Sequence, residues 1–128
     1  MARVYMVAFA LVIIAAGCKQ SKTDKPASSS AGVARIVFVG QKDACQCTRD
    51  RIDASWAALE TALGRRPTVQ VETIQEDVDT ARADEYAKLK PVMVVPGIYF
   101  LDENGKLVEL LQGEVSAEQV TAVLKSGA

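Results

Sequence analysis

The spacing of apolar and polar positions divides the chain into three stretches. Residues 1–17 carry one charge, Arg3, and run apolar from Val4 to Ala16. Residues 18–33 are mostly small and polar, with no apolar period. From Ala34 onward the apolar positions recur with order. Ala34-Arg35-Ile36-Val37-Phe38-Val39-Gly40 is β-branched and aromatic and ends in glycine, which predicts a buried strand. Ile52, Trp56, Leu59 and Leu63 follow at helical spacing and form one stripe of a long helix, with Trp56 in the core. Gly64 ends that helix, and Arg65-Arg66 read as a solvated loop before Pro67.

Thr68-Val69-Gln70-Val71-Glu72-Thr73-Ile74 alternates as a second strand. Asp77, Asp79 and Thr80 offer N-caps to a short helix through Tyr86 and Leu89, which Lys90-Pro91 stops. The acids Glu76, Asp77 and Asp79 lack the spacing of a calcium loop and read as that cap. Val92-Met93-Val94-Val95 leads into Pro96-Gly97. Ile98 to Leu101, the turn Asp102-Glu103-Asn104-Gly105, and Lys106 to Leu111 then form a hairpin. Ser116-Ala117-Glu118-Gln119 is close to a capping box and opens a last helix with Val120, Val123 and Leu124 on one side. A strand-helix-strand start predicts a parallel pair, and the late hairpin adds antiparallel strands. The fold class is therefore α/β, a mixed central β-sheet flanked by helices in one domain over residues 34–128.

The chain has 128 residues, and its N-terminal apolar run is too short for a transmembrane helix of about 20 residues. The run closes on Ala15-Ala16-Gly17-Cys18, the pattern at which a bacterial lipoprotein precursor is cut and acylated. Residues 1–17 are then a lipoprotein signal peptide, Cys18 the lipidation site, and residues 18–33 a flexible tether. A cleaved secretory signal or a plain N-terminal anchor is the alternative. Lys19 after the cysteine resembles lipoproteins sent to the outer membrane of Gram-negative cells. The expectation is a monomer in the cell envelope, on the extracytoplasmic, periplasmic side, held to the membrane through Cys18. After Gly17 there are fourteen Lys and Arg against sixteen Asp and Glu, with no basic patch, so nucleic acid is not an expected partner. Histidine is absent, which excludes His-based triads, His-containing zinc sites and imidazole-dependent copper sites.

Setting Cys18 aside leaves two thiols, Cys45 and Cys47, one residue apart in a compartment that permits disulfides. Redox chemistry, metal binding and a structural clip are the uses of such a pair. Two thiolates at this spacing can hold Cu(I), a soft ion, with Met93 as a further neighbour if Pro96 faces the loop. Met93 otherwise reads as core. A third reading is an adaptor whose thiols take no part in chemistry.

Residues 34–126 resemble the thioredoxin superfamily in four respects taken in order. A buried strand precedes a thiol pair at the start of a long helix. Val95-Pro96 lies just before a strand, where that family places a cis-proline facing its active site. Ile98-Tyr99-Phe100-Leu101-Asp102-Glu103-Asn104-Gly105-Lys106 is similar to the family's hairpin, and an amphipathic helix closes the chain. The resemblance implies a three-layer thioredoxin-like fold and a thiol–disulfide oxidoreductase or isomerase without a cofactor, acting on protein thiols or disulfides. It also implies that Val95 and Pro96 bind substrate through the backbone edge. Three positions depart from the pattern: one spacer residue of Cys-X-X-Cys is missing, Ala44 stands where an aromatic often precedes the first cysteine, and Ile36 to Val39 offer no buried acid.

A thiolate at a helix N-terminus is stabilised by unpaired N–H groups and the helix dipole. Cys45 is the expected nucleophile and Cys47 the resolving thiol, with Lys42 and Arg49 adding positive potential and Asp43 opposing it. Helical residues i and i+2 point to nearly opposite sides, so both thiols inside the helix, with Asp43 as N-cap and Gln46 closing a box, would not bond. A disulfide between them requires a helix starting at or after Cys47 with Cys45 in extended or turn geometry. Its ring is smaller than that of Cys-X-X-Cys and strained, which predicts an oxidising, easily reduced pair.

Overall fold

Seven elements follow one another in a computed structural model that describes residues 32–64 and 68–127. They are β1 (Arg35–Gly40), α1 (Gln46–Leu63), β2 (Gln70–Gln75), α2 (Thr80–Ala87), β3 (Gly97–Leu101), β4 (Leu107–Gln112) and α3 (Ala117–Ser126). The order and type of every element are those the sequence pattern predicts. The expected signal peptide, the lipidated Cys18, nearly all of the tether and Arg65-Arg66 lie outside the described residues.

The sheet order is β2-β1-β3-β4; β1 runs parallel to β2, and β3 is antiparallel to both β1 and β4. The central strands are apolar on both faces because each face meets helices. Ile36 and Phe38 of β1, with Ile98 and Phe100 of β3, pack on Leu59 of α1 and Val120, Val123 and Leu124 of α3. The intervening residues, Val37, Val39, Tyr99 and Leu101, pack on the other side against Ile74 of β2 and Tyr86 of α2. The period-2 alternation of a strand thus supplies two cores at once. Trp56 is half-buried and sits edge-on to Phe38, with ring centroids 5.1 Å apart, as its place on the stripe predicts. At the edge strand β2, Val71 and Thr73 are exposed and the pattern becomes polar. The capping box on α3 is complete: Ser116 Oγ accepts from the Gln119 amide, and Gln119 Oε1 accepts from the Ser116 amide.

Two details differ from expectation. Asp79 is the N-cap of α2 but its carboxylate makes no capping bond, and Asp77 is engaged elsewhere. Met93 is not in the core; it is 77% exposed. Residues 92–95 form no ladder strand. Instead the amides of Met93 and Val94 donate to Gln112 Oε1, and only Val92 packs against the core.

Candidate functional site

The end of β1 hands the chain to a short loop that reaches the start of α1. This loop is tied down by a residue just beyond that end of β2 which pairs with Gly40. The Asp77 carboxylate accepts from the backbone N–H groups of Lys42 and Asp43, both at 2.8 Å. Those two bonds hold its carboxyl below the usual aspartate range. Ala44 is buried at the loop's base.

Cys45 is the N-cap of α1, with extended backbone (φ −64°, ψ 162°), and both thiols are exposed. The helix begins at Gln46, one residue earlier than the condition set for a disulfide, yet Cys45 Sγ lies 3.1 Å from Cys47 Sγ. The reason is the N-cap conformation. A side chain there leaves the helical register and folds back over the first turn. Thr48 Oγ1 stands 3.2 Å from the same sulfur. The Cys45 thiol is lowered to about 7, first by the Thr48 hydroxyl, then by Cys47 and by the Thr48 backbone N–H. Lys42, Arg49 and Asp43 are not among the causes. Arg49 instead turns back to donate to the Ala44 carbonyl at 2.8 Å.

Val95 and Pro96 lie opposite α1, and the bond between them is cis. Pro96 is buried and Val95 half-buried. Arg51, one turn beyond Cys47, approaches the Val95 carbonyl at 3.5 Å, the long limit of a hydrogen bond. A stronger tie lies one turn further along the helix. Ser55, fully buried, donates to the Gly113 carbonyl and accepts from the Val115 amide, each at 3.2 Å. The Gly113 amide in turn donates to the carbonyls of Val94 (3.1 Å) and Pro96 (2.8 Å). Gly113 adopts φ +79°, a conformation that suits glycine. The thiol-bearing helix and the proline loop are therefore braced through one buried hydroxyl.

The thiols, Val95 and Pro96 are thus organised by one helix, whereas Cys18 is outside the described residues. Among the described residues there is no group of three or more Cys, Asp or Glu side chains suited to a metal, so Cu(I) would rest on Cys45 and Cys47. Sequence reading missed Thr48, Ser55 and Arg51 and gave Asp77 the wrong partner. Ser55 left a signal: a small polar residue on the apolar stripe, three positions after Ile52 and four before Leu59. Thr48 left another, three residues after Cys45, where N3 meets the N-cap. Asp77 left none, because its partners are 34 and 35 residues away.

No protein-family model and no curated protein matches the chain. Solved structures do match its fold. Thioredoxin-2 of a malaria parasite, described as a component of its protein secretion machinery, is 19% identical with a TM-score of 0.53, over 71% of this chain and 80% of that one. The thioredoxin of Malassezia sympodialis is 14% identical with a TM-score of 0.55, over 78% and 81%. Mitochondrial thioredoxin 3 of Saccharomyces cerevisiae, in its oxidised form, is 12% identical with a TM-score of 0.53, over 73% and 79%.

Proposed function

The chain has a thioredoxin-like fold with a Cys-X-Cys pair at the start of its first helix, and from that premise we propose that it is a thiol–disulfide oxidoreductase or isomerase, tethered outside the cytoplasm by a lipid on Cys18. One observation carries the reading: the exposed sulfurs of Cys45 and Cys47 lie 3.1 Å apart at a helix N-terminus. The Cys45 thiolate attacks one sulfur of a protein disulfide. The disulfide's S–S bond breaks, a mixed disulfide forms on Cys45, and the other substrate sulfur leaves as a thiolate. Cys47 then loses its proton and attacks Cys45 Sγ, closing the internal disulfide and expelling the second substrate sulfur. The substrate gains two electrons and the pair loses two. The reverse sequence oxidises a substrate dithiol. Release before Cys47 attacks, by a different thiol of the same substrate, rearranges a disulfide with no net electron transfer.

Val95 and Pro96 present the backbone edge on which an extended substrate lies, beside the exposed Met93 and Val94. The small ring closed by one spacer residue favours a reducible, oxidising pair. Equilibration of the protein in glutathione buffers, with Cys45→Ser and Cys47→Ser alongside, tests this. A single two-electron transition well above thioredoxin's roughly −270 mV is expected. A potential as low as that, or no disulfide at all, refutes it. The tether is supported by Ala15-Ala16-Gly17-Cys18. Expression of the full chain in a bacterium is expected to give a membrane-bound product that Cys18→Ala releases or leaves unprocessed; a soluble wild-type product overturns the anchor.

A further inference from the structure

Resting on the exchange reading, we propose that Thr48 is a catalytic residue that holds Cys45 as a thiolate, so that thiolate stabilisation and resolution are divided between Thr48 and Cys47. Cys45 is the N-cap, which makes Gln46, Cys47 and Thr48 the first three helical positions. The third is the position whose groups fold back onto an N-cap side chain. A second cysteine placed there, two spacer residues on, is at once the hydrogen-bond neighbour of the nucleophile and its resolving thiol. Here the thiol stands one position earlier and a hydroxyl occupies the third. Both reach the same sulfur, Cys47 Sγ at 3.1 Å and Thr48 Oγ1 at 3.2 Å.

The two neighbours differ in chemistry. Cys47 is consumed when the internal disulfide closes, and its proton and sulfur are then no longer available. Thr48 forms no disulfide, and its β-branched side chain has few rotamers, so its hydroxyl stays beside Cys45 through the cycle. Its part is a hydrogen bond only. When a bond to Cys45 Sγ breaks towards that sulfur, the electron pair remains on Cys45 and the Thr48 hydroxyl donates to it; no proton is transferred. The backbone of Thr48 is fixed as well, since its amide donates to the Cys45 carbonyl at 3.0 Å. The first place that Thr48 takes among the causes of the lowered Cys45 pKa agrees with this geometry.

The division is tested on the full chain carrying Cys18→Ser, with Thr48→Val, Thr48→Ser and Cys47→Ala added singly. Two readouts are needed: the pH midpoint of Cys45 alkylation, located by mass spectrometry, and the closure rate of a preformed mixed disulfide between Cys45 and glutathione. Thr48→Val is expected to raise the midpoint by about one pH unit, which lowers alkylation at pH 7 about fivefold, with closure changed less than about twofold. Thr48→Ser restores the midpoint. Cys47→Ala abolishes closure and moves the midpoint by less than Thr48→Val does. An unchanged midpoint in Thr48→Val, or an equal shift in Cys47→Ala, overturns the proposal. If wild type shows no closure, the exchange reading fails instead, and the midpoint comparison still decides the role of Thr48.

Discussion

Ser55→Ala removes one oxygen from the interior, and the structure allows its cost to be worked out. Ser55 has no exposed surface, and its hydroxyl is the partner of the Gly113 carbonyl and the Val115 amide. Alanine fits the site without strain but leaves both backbone groups unpaired in a space the size of an oxygen atom. An orphaned buried group costs about 1–3 kcal/mol, so the pair together costs about 2–6 kcal/mol. For a domain whose total stability lies in the range of about 5–15 kcal/mol, that is a large fraction. Equilibrium urea unfolding followed by circular dichroism measures it. With a slope of about 2 kcal/mol/M, the midpoint falls by roughly 1–3 M and the slope is unchanged. The damage is also local. Because the Gly113 amide holds the Val94 and Pro96 carbonyls, its hydrogen-exchange protection falls before that of β1 amides. A midpoint drop under about 0.3 M would refute the reasoning, since the two backbone groups would then have found partners without Ser55.

Three further outcomes are expected. Alkylation of Cys45 in the reduced protein is half-maximal near pH 7 and falls about tenfold per unit below it, because the reactive thiolate is lost as pH drops through about 7; a midpoint in the ordinary thiol range near 8.5 contradicts the site's geometry. Glu72, which receives hydrogen bonds from Arg82, Arg35 and Tyr86, has its carboxyl held at about 2. Its contribution is complete above the unfolded pKa of about 4.3 and is lost as pH falls through about 2. For this partly solvated network it amounts to about 1 kcal/mol, and Glu72→Gln removes that acid-dependent component from pH-resolved unfolding curves. Gly97→Ala places a methyl 2.4 Å from Val92 Cγ2 and 2.9 Å from Cγ1. It lowers stability by about 1–3 kcal/mol, most of which Val92→Ala restores in the double variant; additive losses in the cycle refute the clash.

The elements were legible because each rests on local physics. β1 and β3 announce themselves as apolar, largely β-branched or aromatic runs, α1 by its stripe from Ile52 to Leu63, and α3 by a capping box whose two bonds are both present. The thiol pair was legible for a different reason: only three cysteines exist, and one ends the N-terminal apolar run. Boundaries were less so. β2 starts at Gln70 rather than Thr68, because pairing with Arg35, not β propensity, sets where its ladder begins.

What the sequence by itself determined is therefore the kind of each element, their order, and which two sulfurs form the candidate site. Tertiary structure alone decided how those sulfurs stand. The i, i+2 rule separates two thiols inside a helix, but the extended N-cap at Cys45 brings them to 3.1 Å. That N-cap is reached through a loop anchored by Asp77, whose acceptor oxygens arrive from the end of β2. In the same way Met93 reads as core by hydropathy and lies in solvent, because Gln112 takes the amides of Met93 and Val94 and turns the segment out of the sheet. Hydrophobic period and propensity act over a few residues and fix what a segment becomes. Hydrogen bonds spanning 18 to 60 residues, whose partners no local pattern reveals, fix where each segment is held.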